Sequence, residues 1–149
     1  MPITQTNEPY EIIWLIRRLF RALSQRSNEL LEASGLSAAD RAVMEFLYPD
    51  QRLSVPEIAE RYKVSRQHIQ ITINALSEKS LVVTRANPRH KRSPLFALSR
   101  AGRTQFSRIL KRDQQVVTDL FSDVSQNHVR ITRQTLQTLL DALDTGEPT

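Results

Sequence analysis

The sequence predicts a mainly α-helical fold that carries one small β hairpin near its middle. Three observations support that class. Apolar residues recur at three- and four-residue steps along most of the chain, the spacing of one helix face. Serine-led capping signatures open the central helices. Only residues 81–98 switch to short β-branched and apolar runs.

Residues 10–33 read as the first helix, with Ile12, Ile16, Leu19, Phe20, Leu23 and Leu30 on one stripe and Arg17, Arg18, Arg21 and Gln25 mostly off it. Gly35 ends it where a left-handed helix terminus prefers glycine. Ser37, with Asp40 three residues on, opens a second helix whose apolar side is Val43, Phe46 and Leu47, and Pro49-Asp50 closes it. Ser54-Val55-Pro56-Glu57 is a stronger start signal. Ser54 caps, Glu57 reciprocates, and Pro56 sits in the first turn where its missing N–H costs nothing. Ile58, Ala59 and Tyr62 form the inner side of that short helix. After Lys63-Val64, Ser65 caps a helix to about Lys79 with Ile69, Ile73 and Leu76 facing inward.

Two strands are expected next, Leu81–Thr84 and Leu95–Leu98, around a basic tip of Asn87-Pro88-Arg89-His90-Lys91-Arg92. So little sheet must lean on the helices. The last third is helical again, with one stripe from Phe106 to Val124 and another from Val129 to Leu143 around a break at Ser125–Asn127. The terminal helices carry more apolar side chains than a small central domain can cover, and burial against a second copy accounts for them.

Charge is distributed unevenly over the 149 residues. Between Arg61 and Arg112 lie 13 of the 21 Lys and Arg but one of the 16 acids, Glu78, a net of +12 against −7 for the remainder. A basic centre between acidic ends is either a solvated surface or a face that meets a polyanion. The absence of cysteine excludes disulfides, thiolate metal sites and thiol redox sensing. No uncharged apolar run approaches the ~20 residues of a bilayer span, and the N-terminus lacks signal-peptide order, so a cytoplasmic protein with no membrane partner is expected. No cofactor is implied.

Helix, tight turn, helix, then hairpin is the order of a winged helix-turn-helix. A B-form major groove about 12 Å wide admits one helix, and Gln and Asn pair bidentately with adenine as Arg does with guanine. The outward positions of the second helix are Gln67, Gln70, Ile71 and Asn74, with Arg66 near its entry. The polar ones are either ordinary solvated side chains or base readers. Ile71 either touches a neighbouring helix or meets a thymine methyl. His68 reads as structural or as a phosphate contact rather than a metal ligand. Arg89, Lys91 and Arg92 are either a solvated loop or minor-groove and phosphate contacts.

The stretch Leu53–Gly102 resembles the DNA-binding core of the MarR family of transcriptional regulators. Its most specific portion is the wing, Asn87-Pro88 through Lys91-Arg92, followed by Leu98-Ser99-Arg100-Ala101-Gly102, which is similar to the family's leucine-threonine-x-x-glycine ending. The resemblance implies a single MarR-like domain over 1–149, with a winged core at 36–100 and dimerisation helices at 8–34 and 101–145. It implies a homodimer that binds a pseudo-palindromic double-stranded operator. Ser65, Arg66, Gln67, Gln70, Ile71 and Asn74 would face the major groove, and Arg89, His90, Lys91 and Arg92 would form the wing contacts. It implies a sequence-specific regulator, more often a repressor, released by a small and often anionic aromatic effector. Tyr10, Trp14, Arg17, Arg18 and Tyr48 would then border the effector pocket, unless Trp14 and Tyr48 simply pack in the dimer or core.

Three positions depart from the family pattern. Ser80 stands where a helix-ending glycine is usual, which predicts a strained or differently closed turn. Thr84 replaces a common arginine, with Arg85 one position later, and His90 replaces a common wing aspartate. The arginine–aspartate contact is therefore expected to be absent. An exposed His90 would gain charge in mild acid and tighten DNA binding.

Other classes fit less well. An enzyme needs reactive groups held together, and the sequence has no Gly-rich phosphate loop, no nucleophile elbow and only three His. A metal-responsive winged-helix repressor needs clustered ligands, whereas His68, His90 and His128 are scattered. A winged-helix module for protein contacts, without DNA readout, fits poorly with the basic block. Salt separates these classes. A dimer neutralising ~8 phosphates loses affinity with a log–log slope near −7.

Overall fold

The computed structural model describes residues 7–144. Among them the order is α1 (Glu8–Glu32), α2 (Ala38–Leu47), β1 (Leu53–Ser54), α3 (Val55–Tyr62), α4 (Arg66–Glu78), β2 (Val82–Arg85), β3 (Leu95–Leu98), α5 (Arg100–Leu120) and α6 (Gln126–Asp144). Residue 145, the last of the expected C-terminal helices, lies outside the described residues. By its contacts the chain falls into two compact units, one extending to Lys111 and the other beginning at Arg112.

The capping signatures act as read. Ser37 accepts from the Asp40 N–H at 3.0 Å while the Ser37 N–H donates to Asp40 Oδ2 at 3.0 Å. Ser54 N–H and Oγ–H both donate to Glu57 Oε2, at 2.7 and 2.8 Å, and the Glu57 N–H returns to Ser54 Oγ at 3.4 Å. These boxes satisfy donors that a helix start leaves without partners.

Three helices end in one way. Gly35 (φ 70°), Lys63 (φ 57°) and Ser80 (φ 59°) are left-handed. In each case the next residue's N–H reaches back to a carbonyl five residues earlier: Leu36 to Leu31, Val64 to Ala59 and Leu81 to Leu76. Only the first of these ends uses glycine. Ser80 is thus the strained turn that its departure from glycine predicts, and the strain is retained because Ser80 O also accepts Ser99 Oγ–H at 2.7 Å.

The sheet corrects the expected two-strand hairpin. It has three antiparallel strands in the order β1-β3-β2, with Leu53 opposite Phe96 and Ser54 opposite Leu95. The long pair matches Val82 with Leu98 and Arg85 with Leu95. A two-residue strand shows no alternation in sequence, and β1 is spent at once as the cap of α3, so its pairing is invisible locally. The helix break also sits earlier than expected. Ser125 is the residue before α6, and its Oγ accepts the His128 N–H at 3.3 Å.

The core of the first unit gathers Val43, Met44 and Leu47 of α2, Ile58 of α3, Ile69, Ile73 and Leu76 of α4, and Leu98 and Phe106. Thr72 is buried as well, its hydroxyl donating to the His68 carbonyl at 3.0 Å. Gly102 is needed for a close approach. A Cβ there would meet the Leu81 carbonyl, so the start of α5 lies directly on the wing's first residue. Ser99 locks that junction by accepting the Gly102 N–H at 2.9 Å. On α1, Trp14, Leu15, Leu19 and Phe20 are exposed, Phe20 by 72%. In the second unit α6 buries nothing, and Val117, Leu120, Leu140 and Leu143 are exposed.

Candidate nucleic-acid interface

The α3–turn–α4 unit is held by its inner stripe, Ile58 and Ala59 against Ile69, Ile73 and Leu76, which leaves the opposite face of α4 to solvent. Arg66, Gln67, Gln70, Ile71 and Asn74 are all exposed there. Gln70 Nε2 donates to Asn74 Oδ1 at 2.9 Å, so two of the polar candidates form one ordered pair a turn apart. Ile71 is 63% exposed, so no helix of its own chain covers that side chain. Ser65 is also exposed, but its Oγ is engaged by the His68 N–H at 3.1 Å. The exposed His68 ring stands 6.5 Å from that of Tyr62. Among the described residues no three His, Cys, Asp or Glu cluster to hold a metal ion.

The wing tip is built by Asn87. Its Oδ1 accepts the Arg89 N–H at 3.1 Å and its Nδ2 donates to the Ser93 carbonyl at 2.8 Å, so one side chain closes both arms of the loop. Arg89, His90, Lys91 and Arg92 project from this frame, all exposed. The wing and α4 do not stand apart. A cleft of about 730 Å³ between them and the start of α3 is lined by Arg52, Arg66, Arg89, His90 and Arg92, with Glu57 beside them. Glu57 is held below the usual carboxylate range, first by the Ser54 N–H, then by the Ser54 hydroxyl, with the Arg61 and Arg89 charges adding to both.

Sequence reasoning missed two contributors. Arg52 lies before a strand too short to be recognised. Lys79, at the end of α4, donates to buried Asp40 Oδ2 at 2.8 Å and to the Gly35 carbonyl at 3.0 Å, which ties α4 to the α1–α2 junction. Asp40 was legible only as a cap, since its partner is 39 residues away.

The five expected effector residues are not gathered into one site. The Arg18 guanidinium lies 4.6 Å over the Trp14 ring on exposed α1, and Tyr10 and Arg17 are exposed on the same helix. Tyr48 is the residue after α2 rather than part of it, and it packs on Phe106 with ring centroids 5.2 Å apart. A different cleft, about 340 Å³, lies between α1 and α2 against Phe20, Leu23, Leu31 and Arg41.

A helix-turn-helix followed by a β hairpin with a basic tip, and a short strand before it that completes the sheet, defines the class of winged helix-turn-helix proteins. Residues 34–93 match the family model described as MarR family. An uncharacterized protein of Mycobacterium tuberculosis is 31% identical over 140 residues, which cover 93% of this chain and 98% of that one. A MarR family transcription regulator of known structure superimposes with a TM-score of 0.85 at 19% identity, covering 93% of this chain and 92% of its own. Staphylococcus aureus MarR, in complex with salicylate and kanamycin, gives a TM-score of 0.81 at 15% identity over 95% of this chain and 96% of its own. At such identities these two likenesses are of fold. The chain belongs to the MarR family, and it is a transcription regulator rather than an enzyme.

Proposed function

We propose that two copies of this chain bind a pseudo-palindromic DNA operator and repress transcription by occupying it, until a small aromatic or anionic effector releases them. In this reading 36–100 is the DNA-binding core and 8–34 with 101–145 are the pairing helices. Each copy lays α4 in a major groove, with Arg66, Gln67, Gln70 and Asn74 on base edges and Ile71 against a thymine methyl. Ser65 contributes at the helix entry. Arg89, His90, Lys91 and Arg92 meet the minor groove or the backbone. The observation that carries the reading is the exposed polar face of α4 beside a basic wing fixed by Asn87.

Pairing is supported by the apolar side chains left in water in one chain, Leu19 at 57%, Phe20 at 72% and Leu143 at 78% exposure among them. The effector class is supported by the salicylate in the S. aureus MarR complex. On this chain Tyr10, Trp14, Arg17 and Arg18 offer aromatic and cationic groups of matching chemistry, and Tyr48, packed on Phe106, is a further aromatic candidate. Such a regulator works in the cytoplasm.

Selection of bound sequences from a random duplex pool tests this proposal. Recovery of an inverted repeat, with half-sites about one helical turn apart and two chains per duplex, is expected. A pool that stays random after selection, with a solution mass of one chain, contradicts it.

A further inference from the structure

We propose that the cleft between the start of α3 and the wing seats the sugar–phosphate backbone of one DNA strand, with Arg52 as an anchor outside both the reading helix and the wing. This inference rests on the DNA-binding reading above and adds a residue and a site to it. Four arginines, Arg52, Arg66, Arg89 and Arg92, line one cleft of about 730 Å³. None of the four is in an ion pair among the described residues. Like charges brought together raise the energy of the folded protein unless an anion from outside joins them.

Glu57 offsets only part of this charge: one carboxylate stands against four arginines, and Glu57 Oε2 also accepts both the N–H and the hydroxyl of Ser54 while the Arg89 charge acts on it. A phosphodiester suits the remaining donors because guanidinium forks bind phosphate oxygens in pairs. Pro56, Pro88 and Leu95 add an apolar wall suited to the edge of a deoxyribose. The sheet sets the frame of the site. Arg52 immediately precedes β1, which is paired with β3, and β3 follows the wing loop, so the pairing brings the Arg52 backbone beside the wing.

The test measures DNA affinity of the full chain, of Arg52→Ala and of Arg52→Lys between 50 and 200 mM salt. Each is titrated against a selected operator and a scrambled duplex of equal length, with thermal melting as the check on folding. Arg52→Ala is expected to flatten the log–log salt slope by about 0.9 per chain. For two bound chains, the parent's advantage over the variant then shrinks about 12-fold across that range. Arg52→Lys is expected to keep the parent slope, and both duplexes to weaken alike. An unchanged slope in Arg52→Ala, or a loss confined to one duplex, overturns the proposal while leaving the DNA-binding reading intact. A parent chain that binds neither duplex overturns that reading, and this proposal with it.

Discussion

Replacing Ser80 by glycine should stabilise the protein. Ser80 has φ 59° at the end of α4 and is held there by three bonds: its N–H donates to Ser77 O at 2.9 Å, the Leu81 N–H donates to Leu76 O at 2.9 Å, and its own carbonyl accepts Ser99 Oγ–H. An L-residue in that conformation costs about 1–2 kcal/mol. Glycine removes this cost but loses about 0.5–1 kcal/mol through the greater freedom of its unfolded chain. The balance is a gain of roughly 0.5–1 kcal/mol, a rise in Tm of about 2–3 °C for a chain of this size. Thermal and denaturant unfolding of Ser80→Gly, with Ser80→Ala as control, measures it. Alanine keeps the Cβ and should gain nothing. A glycine variant no more stable than the parent, or an alanine variant that gains as much, refutes the argument from strain.

Lys79→Met should cost about 1–2 kcal/mol, because it leaves the Asp40 carboxylate, with 5% of its side chain exposed, with only the Ser37 N–H. That estimate is below the cost of breaking a wholly buried pair because the Lys79 side chain is 39% exposed and water can replace it. Denaturant unfolding with Asp40→Asn in a double-mutant cycle reads the coupling, and additive effects would contradict the pairing. Glu57→Gln should lower stability most near pH 7 and progressively less in acid. The folded carboxyl titrates below its unfolded value, so its contribution is present above the unfolded pKa and is lost as pH falls from the ordinary carboxylate range through the lower folded value. A parent–variant difference that stays constant or widens toward acid refutes that sign.

The legible parts of this fold are those whose cause is local in sequence. Ser37 with Asp40 and Ser54 with Glu57 are partners three residues apart, and the structure forms both boxes. The inward stripe of α4 follows from its helical period, and so does the outward face that carries Gln67, Gln70 and Asn74. What stayed hidden is set by contacts between distant segments. β1 exists because Leu53 and Ser54 meet Phe96 and Leu95. Lys79 finds Asp40 39 positions away, and Arg52 reaches the wing's cleft only because that unseen strand holds it there. Tyr48 was open between a pocket and a packing role, and its contact with Phe106 is one that no local pattern shows. Ile71 was open between two roles because periodicity gives the face of a helix and not what lies opposite it; within one chain it is exposed.

The central claim is that α4 reads bases while the wing holds the backbone. It is tested most directly by measuring the affinities of Gln70→Ala and Lys91→Ala for a selected operator and for the same duplex with its half-sites scrambled. The account predicts that Gln70→Ala loses about 1–3 kcal/mol on the operator and little on the scrambled duplex, whereas Lys91→Ala weakens both alike. Equal losses on both duplexes for Gln70→Ala would mean that α4 does not read sequence, and would contradict the account.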